Sequence, residues 1–224
     1  MTPTPRPVVL VHGMRTSSAI WSAQTAVLAR EGHLAVAVDL PGHGARTGER
    51  FTFQSALDTI DEAVASCPAP PLLVGLSMGG YVSLAYAARR PEALAGVLLS
   101  GCSTEIRDRP MAAYRRVSGR LARTFRPQGT WHVVTDMLGA LHGYSPLADL
   151  RRLVLPLWLV NGLHDPMRLD ERRYLTAHPA ARLSVLRGAG HDVNTHAPAQ
   201  FNRILLEAVH QLRDATRPLA PALT

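Results

Sequence analysis

Lysine is absent from this 224-residue chain, and all 24 of its basic residues are arginine. That excludes Schiff-base chemistry and a lysine general base. Cysteine is scarce, limited to Cys67 and Cys102 with no C-x-x-C spacing. Neither a disulfide framework nor a cysteine-built metal site is expected. Aromatic residues are few and no nucleic-acid motif occurs, so the net charge of +7 does not point to a nucleic-acid partner. The arginines are interleaved with acids and read as a source of solubility, with a modest preference for acidic ligands. No run of 18 or more apolar residues suggests a membrane span. The opening "MTPTPRPVVLVHG" lacks the long apolar core of a secretory signal, so a cytoplasmic location is expected. A glycine-rich dinucleotide loop, a G-K-[ST] phosphate loop and a metal-ligand cluster are all missing, and no cofactor is expected.

What the chain does contain is a rhythm. Short Val- and Leu-rich runs recur at 7–11, 34–40, 71–75, 96–100, 155–162 and 181–186, each ended by turn residues. Segments of helical period lie between them, at about 18–30, 53–66, 78–90, 168–177 and 198–213. Near-continuous apolar strands alternating with amphipathic helices predict an α/β, doubly wound, mainly six-stranded parallel sheet with helices on both faces. From 105 to 149 the strand signal stops. Met111, Tyr114, Val117, Leu121 and Phe125 share one helical face, and Trp131, Val134, Leu138 and Leu141 another. This predicts a small helical cap, 105–149, inserted in a core of 1–104 and 150–224, with a disordered tail at 215–224.

Where the run "LLVGL" gives way to "MGGYVSLAYAARR", the sequence reads Gly75-Leu76-Ser77-Met78-Gly79. This fits G-x-S-x-G, a tight strand-to-helix turn that lifts a serine hydroxyl above a sheet. The motif alone is weak, since glycine-rich strand–helix turns also occur without chemistry. Its companions are more specific. "VLVHGMRTSSAIW" (9–21), "VDLPGHG" (38–44), "LPLWLVNGLHDPM" (155–167) and "GAGHDVN" (188–194) resemble, in order, the loops of the α/β-hydrolase fold family. The resemblance covers nearly the whole chain.

The resemblance implies a nucleophile, acid and base in the order Ser77, Asp165, His191. It implies an oxyanion hole from the backbone N–H groups of Met14 and Met78. His12 then has a structural role in the oxyanion loop, and His43 sits in a glycine turn, where such a residue more often plays a structural part than touches a ligand. His164 and His196 are rivals to His191 by proximity, and Glu105 or Asp108 could supply the acid instead of Asp165. Asp170 and Asp192 read as surface residues. Two departures from the family stand out. The chain reaches "VVLVHG" almost at once, so the family's two leading strands are expected to be missing, and the short cap predicts a shallow or open pocket.

A serine nucleophile implies acyl transfer, with a carboxylester or thioester cleaved through an acyl-enzyme. The same triad also serves C–C bond cleavage, lyase or cyclisation chemistry, and a hydrolase scaffold can act as a non-catalytic binding protein. Met111, Tyr114, Val117 and Leu121 read either as lining an acyl pocket or as plain core packing. Arg107, Arg109, Arg115, Arg116, Arg120, Arg123 and Arg126 read either as a solvated face or as steering for an acyl donor on coenzyme A or an acyl carrier protein.

Overall fold

The computed structural model describes residues 5–106 and 131–214. All six apolar runs form strands: β1 (Val8–Val11), β2 (Ala35–Val38), β3 (Leu72–Leu76), β4 (Gly96–Ser100), β5 (Leu157–Gly162) and β6 (Arg182–Leu186). They make one parallel sheet in the order β2-β1-β3-β4-β5-β6. Winding runs from β1 outward to β2, then returns past β1 to β3 and continues the other way. The loops leaving the carboxyl ends of β1 and β3 therefore part in opposite directions. A crevice opens between them.

The helices are α1 (Ser22–Arg30), α2 (Phe53–Ala65), α3 (Met78–Arg89), α4 (Trp131–Ala140), α5 (Pro146–Arg152), α6 (Glu171–Ala177), α7 (Val193–His196) and α8 (Pro198–Asp214). Alternation along each strand divides the core between two layers. Val8 and Leu10 face Trp21, Leu28 of α1 and Phe201, Leu205 and Val209 of α8. Val9 and Val11 face the opposite layer, with Ile60 of α2, Tyr81 and Val82 of α3 and Leu150 of α5. Burying each such side chain contributes about 1.5–3 kcal/mol, so both faces of the sheet are held by apolar burial. Among the described residues, no helix is long and apolar enough to cross a membrane.

Local chemistry sets the boundaries. Thr52 caps α2 in a reciprocal capping box with Ser55. Ser145 caps α5, with Pro146 in its first turn. Helix α5 was not expected, because two turns are too short to show a period. The expected helix at 168–177 starts only at Glu171, since the Asp170 N–H is spent on the Ser103 carbonyl at 2.9 Å. The expected helix from 18 opens as a 3-10 turn, Ser18–Trp21. On α4 the apolar face is rotated from the expected one: Val133, Val134, Met137 and Leu141 are buried, and Leu138 only half-buried. The cause is contact with the loop after β2, where Val133 lies against Gly42 and Arg50 grips both oxygens of Asp136. The helix expected across 111–125 and the tail at 215–224 lie outside the described residues.

Gly79 brings α3 hard against β1, since a Cβ there would overlap the carbonyl oxygens of Val11 and His12. Gly75 meets it from β3, where a Cβ would stand 2.6 Å from the Gly79 carbonyl oxygen. Gly79→Ala is therefore expected to destabilise the fold by about 2–3 kcal/mol, lowering Tm by roughly 4–12 °C. Gly139→Ala, in α4 with open space around it, should stabilise by up to about 1 kcal/mol. Equal melting curves for the two variants would contradict this packing.

Candidate active site

Ser77 joins β3 to α3 with φ 55° and ψ −118°, a backbone conformation that side-chain-bearing residues rarely adopt. Its N–H donates to the Ser100 carbonyl at 2.7 Å, and its own carbonyl accepts from the Tyr81 N–H at 3.1 Å. Pinned in this way, the hydroxyl points across the carboxyl ends of the strands. His191 arrives on the loop after β6, where the Gly190 N–H donates to Nδ1 of His196 at 3.1 Å. Asp165 arrives on the loop after β5. The imidazole Nε2 lies 2.8 Å from Ser77 Oγ, and Nδ1 lies 2.9 Å from Asp165 Oδ1. The Asp165 side chain is fully buried while that of His191 is 33% exposed, so the crevice is open on the imidazole side.

Burial works against a charged His191. The hydrogen bond and charge of Asp165, helped by Asp192, outweigh it and raise the pKa above the usual 6.5. His12 shows the opposite balance: burial, with nearby His43, pushes it down to about 4 against the Gly13 carbonyl and Asp39. A neutral His12 donates from Nδ1 to the Gly13 carbonyl at 2.7 Å and accepts the Leu40 N–H at Nε2 at 3.0 Å. It thereby ties the loop after β1 to the loop after β2, the structural role expected of it. Asp39 reinforces that tie by accepting the N–H groups of Ser18 and Ala45 at 2.7 and 2.9 Å.

Met78 follows the serine directly, and Met14 follows Gly13 in the loop after β1. Met78 is the first residue of α3, so its N–H has no acceptor within the helix. Gly13, just before Met14, comes so close that a Cβ there would stand 3.2 Å from Ser77 Cβ. His43 is buried with Nδ1 3.0 Å from the Pro41 carbonyl, and its ring lies 4.9 Å from that of His12. Of the rival bases, His164 is exposed, and His196 serves the loop that carries His191. Of the rival acids, Glu105 accepts the Ser145 hydroxyl at 3.1 Å, while Asp108 lies outside the described residues. Asp170 is not a surface residue: its side chain is 15% exposed and accepts the Glu105 N–H at 2.7 Å. Met111, Tyr114, Val117, Leu121 and the arginines from 107 to 126 also lie outside the described residues. Two open grooves, about 410 and 390 Å³, are lined by residues of α3, α5 and α6 such as Arg89, Asp149, Arg151 and Arg172, and by none of the serine crevice. Asn161, Arg168 and Glu171, which surround the acid loop, escaped the sequence reading. Their one sequence signal is a lone asparagine in the otherwise apolar run "LWLVNG".

Sheet order and strand–helix turn are those of an α/β-hydrolase fold, with Ser77, His191 and Asp165 converging at the carboxyl ends of its strands. Residues 8–204 match the model of the alpha/beta hydrolase family, and the chain belongs to that family. It is 28% identical over 187 residues to a pimeloyl-[acyl-carrier protein] methyl ester esterase of Xylella fastidiosa (strain M12), covering 80% of this chain and 70% of that one. It is also 28% identical over 207 residues to a putative protein-lysine deacylase, ABHD14B, of Rattus norvegicus, covering 92% and 83%. An esterase from Exiguobacterium antarcticum superposes with a TM-score of 0.82 at 17% identity, over 93% of each chain, a likeness of fold. The protein is an α/β-hydrolase enzyme whose relatives include esterases.

The raised pKa of His191 has a definite sign. In the folded state the imidazolium is favoured, so the pair adds stability below the unfolded-state value and loses it as pH rises through the folded-state value. By NMR, the His191 ring should titrate above 6.5, and Asp165→Asn should bring it down. A midpoint below 6.5 in the unaltered protein would contradict these electrostatics.

Proposed function

We propose that the protein is a serine esterase that cleaves carboxylic esters through an acyl-enzyme on Ser77. The observation that carries this reading is the unbroken line Oγ–Nε2–Nδ1–Oδ1, with contacts of 2.8 and 2.9 Å at its two junctions. In attack, Ser77 Oγ bonds to the ester carbonyl carbon as its proton passes to His191 Nε2. Asp165 accepts the Nδ1 proton in a hydrogen bond, fixes the tautomer and stabilises the imidazolium. The Met14 and Met78 N–H groups receive the oxyanion, each worth about 3–4 kcal/mol in the transition state. Collapse breaks the bond to the alcohol oxygen, which leaves with the proton from Nε2. Water, deprotonated by the same nitrogen, then releases the acid and restores Ser77.

The substrate we infer is a methyl ester of a carboxylic acid carried on an acyl carrier protein, acting in the cytoplasm. Support comes from the activity in the Xylella relative's name and from the arginine-rich stretch 107–126, which suits an acidic carrier. We propose that segment 105–149 covers the acyl group, with Met111, Tyr114, Val117 and Leu121 as candidate contacts to it. A second reading, deacylation of acyl-lysine, is favoured by the 92% coverage in the match to the rat relative. The chemistry is unchanged, with an amine leaving in place of an alcohol.

Ser77→Ala should keep its circular dichroism and lose roughly 10⁴-fold or more in kcat. A panel should include a carrier-linked methyl ester, the free methyl ester, an acyl thioester and an acyl-lysine peptide. The highest kcat/KM is expected on the carrier-linked methyl ester. Preference for the thioester or the peptide would overturn the substrate assignment alone, whereas turnover surviving in Ser77→Ala would overturn the mechanism.

A further inference from the structure

Asp165 holds His191 through one oxygen. Its Oδ1 takes both the Met167 N–H at 2.8 Å and His191 Nδ1 at 2.9 Å. Its Oδ2 is buried and, among the described residues, accepts no hydrogen bond. Both hydrogen bonds fall on one atom, so no polar contact fixes the second oxygen, and the orientation of the buried carboxylate depends on the loop that bears it and on what packs against it. That loop is braced by side chains. Arg168 donates to the Leu163 carbonyl at 3.0 Å, bridging the loop's ends, and grips both oxygens of Glu171 at 2.9 and 2.7 Å.

The brace is anchored to β5. Asn161, fully buried, donates from Nδ2 to Glu171 Oε1 at 2.8 Å and to Ser103 Oγ at 2.9 Å. Its Oδ1 accepts the Gly101 N–H at 3.1 Å. Gly101 has φ +62° and walls the imidazole: a Cβ there would stand 3.1 Å from His191 Cε1 and 3.4 Å from Asp165 Oδ2. The position needs an amide. A carboxylate would repel Glu171, and an apolar residue would leave the buried Gly101 N–H unpaired and strip Glu171 Oε1 of one of its two donors.

We propose that Asn161 is a positioning residue for the His191–Asp165 pair, holding the Gly101 wall against the imidazole with one end of its amide and the Arg168–Glu171 brace around the carboxylate with the other. The inference rests on the serine-esterase reading and assigns Asn161 no contact with substrate. His191 is faced by Asp165 from the β5 loop, by Asp192 from its own loop and by Ser77 from the start of α3. Asp165 in turn feels Arg168, Cys102 and Tyr81. Of these groups, Arg168 is the one joined to Asn161 through Glu171. If the carboxylate swings away, the attraction that favours imidazolium weakens while burial persists, so His191 titrates lower.

The test is the pH profile of kcat and KM on a nitrophenyl ester for Asn161→Ala and for Arg168→Ala. The second variant removes a partly exposed guanidinium and decides the matter if the first does not fold. Both should lose roughly 10- to 100-fold in kcat with KM little changed, and the acidic limb of kcat/KM should move downward by about half a unit or more. Loss of the Arg168 cation by itself would raise that limb, so a downward shift reports displacement of Asp165. Limbs that stay in place or rise, in folded variants, would overturn the inference and leave Asn161 a packing residue. Ser77→Ala separates the two readings: turnover that survives there takes down the acyl-enzyme reading and the positioning role with it, whereas unmoved limbs with Ser77→Ala inactive take down the positioning role alone.

Discussion

The site depends on one strained residue. Holding Ser77 at φ 55° and ψ −118° costs on the order of 1–3 kcal/mol, and the surroundings over-determine it. Its N–H is taken by Ser100 on the neighbouring strand, and its carbonyl begins the hydrogen-bond ladder of α3. Gly75 and Gly79 let strand and helix approach too closely for any other side chain. Relaxing that backbone would withdraw the hydroxyl from His191. The sheet order therefore matters chemically, because the crevice between the loops after β1 and β3 is where such a turn can project a side chain into open space.

Two histidines near the crevice show how the same ring is given different work. Both are substantially buried, which disfavours charge. For His12, burial prevails and the ring stays neutral, acting as a hydrogen-bond tie between loops. For His191, the Asp165 carboxylate prevails and protonation becomes easier, which suits the proposed role of a base that takes the serine proton. The difference lies in the partner, because only His191 has a carboxylate within hydrogen-bond distance of its ring.

Much of this was legible from residue order. Strand positions followed from β-branched and leucine runs bounded by turns, and each run became a strand of the parallel sheet. Ser77 could be singled out by its G-x-S-x-G turn, and Asp165 and His191 by the likeness of their loops to those of the α/β-hydrolase family; the structure brings the three side chains within hydrogen-bond distance. Helix α5 was not legible, since its stability comes from a serine cap and burial rather than from a repeating face. The register of α4 was missed because its contacts with Gly42 and Arg50 are tertiary. Asn161, Arg168, Glu171 and the structural role of Asp170 went unseen for the same reason. A hydrogen-bonded brace is built from ordinary polar residues, some of whose partners lie 60 or more positions away.

The central claim is that Ser77 is a nucleophile activated by His191. Treating the folded protein with a fluorophosphonate and locating the adduct by peptide mass spectrometry tests it most directly. The account predicts a single phosphonyl group on Ser77, formed faster as pH rises through the His191 titration and lost in His191→Ala. A folded protein left unmodified, or modified at another residue with Ser77 untouched, would contradict it.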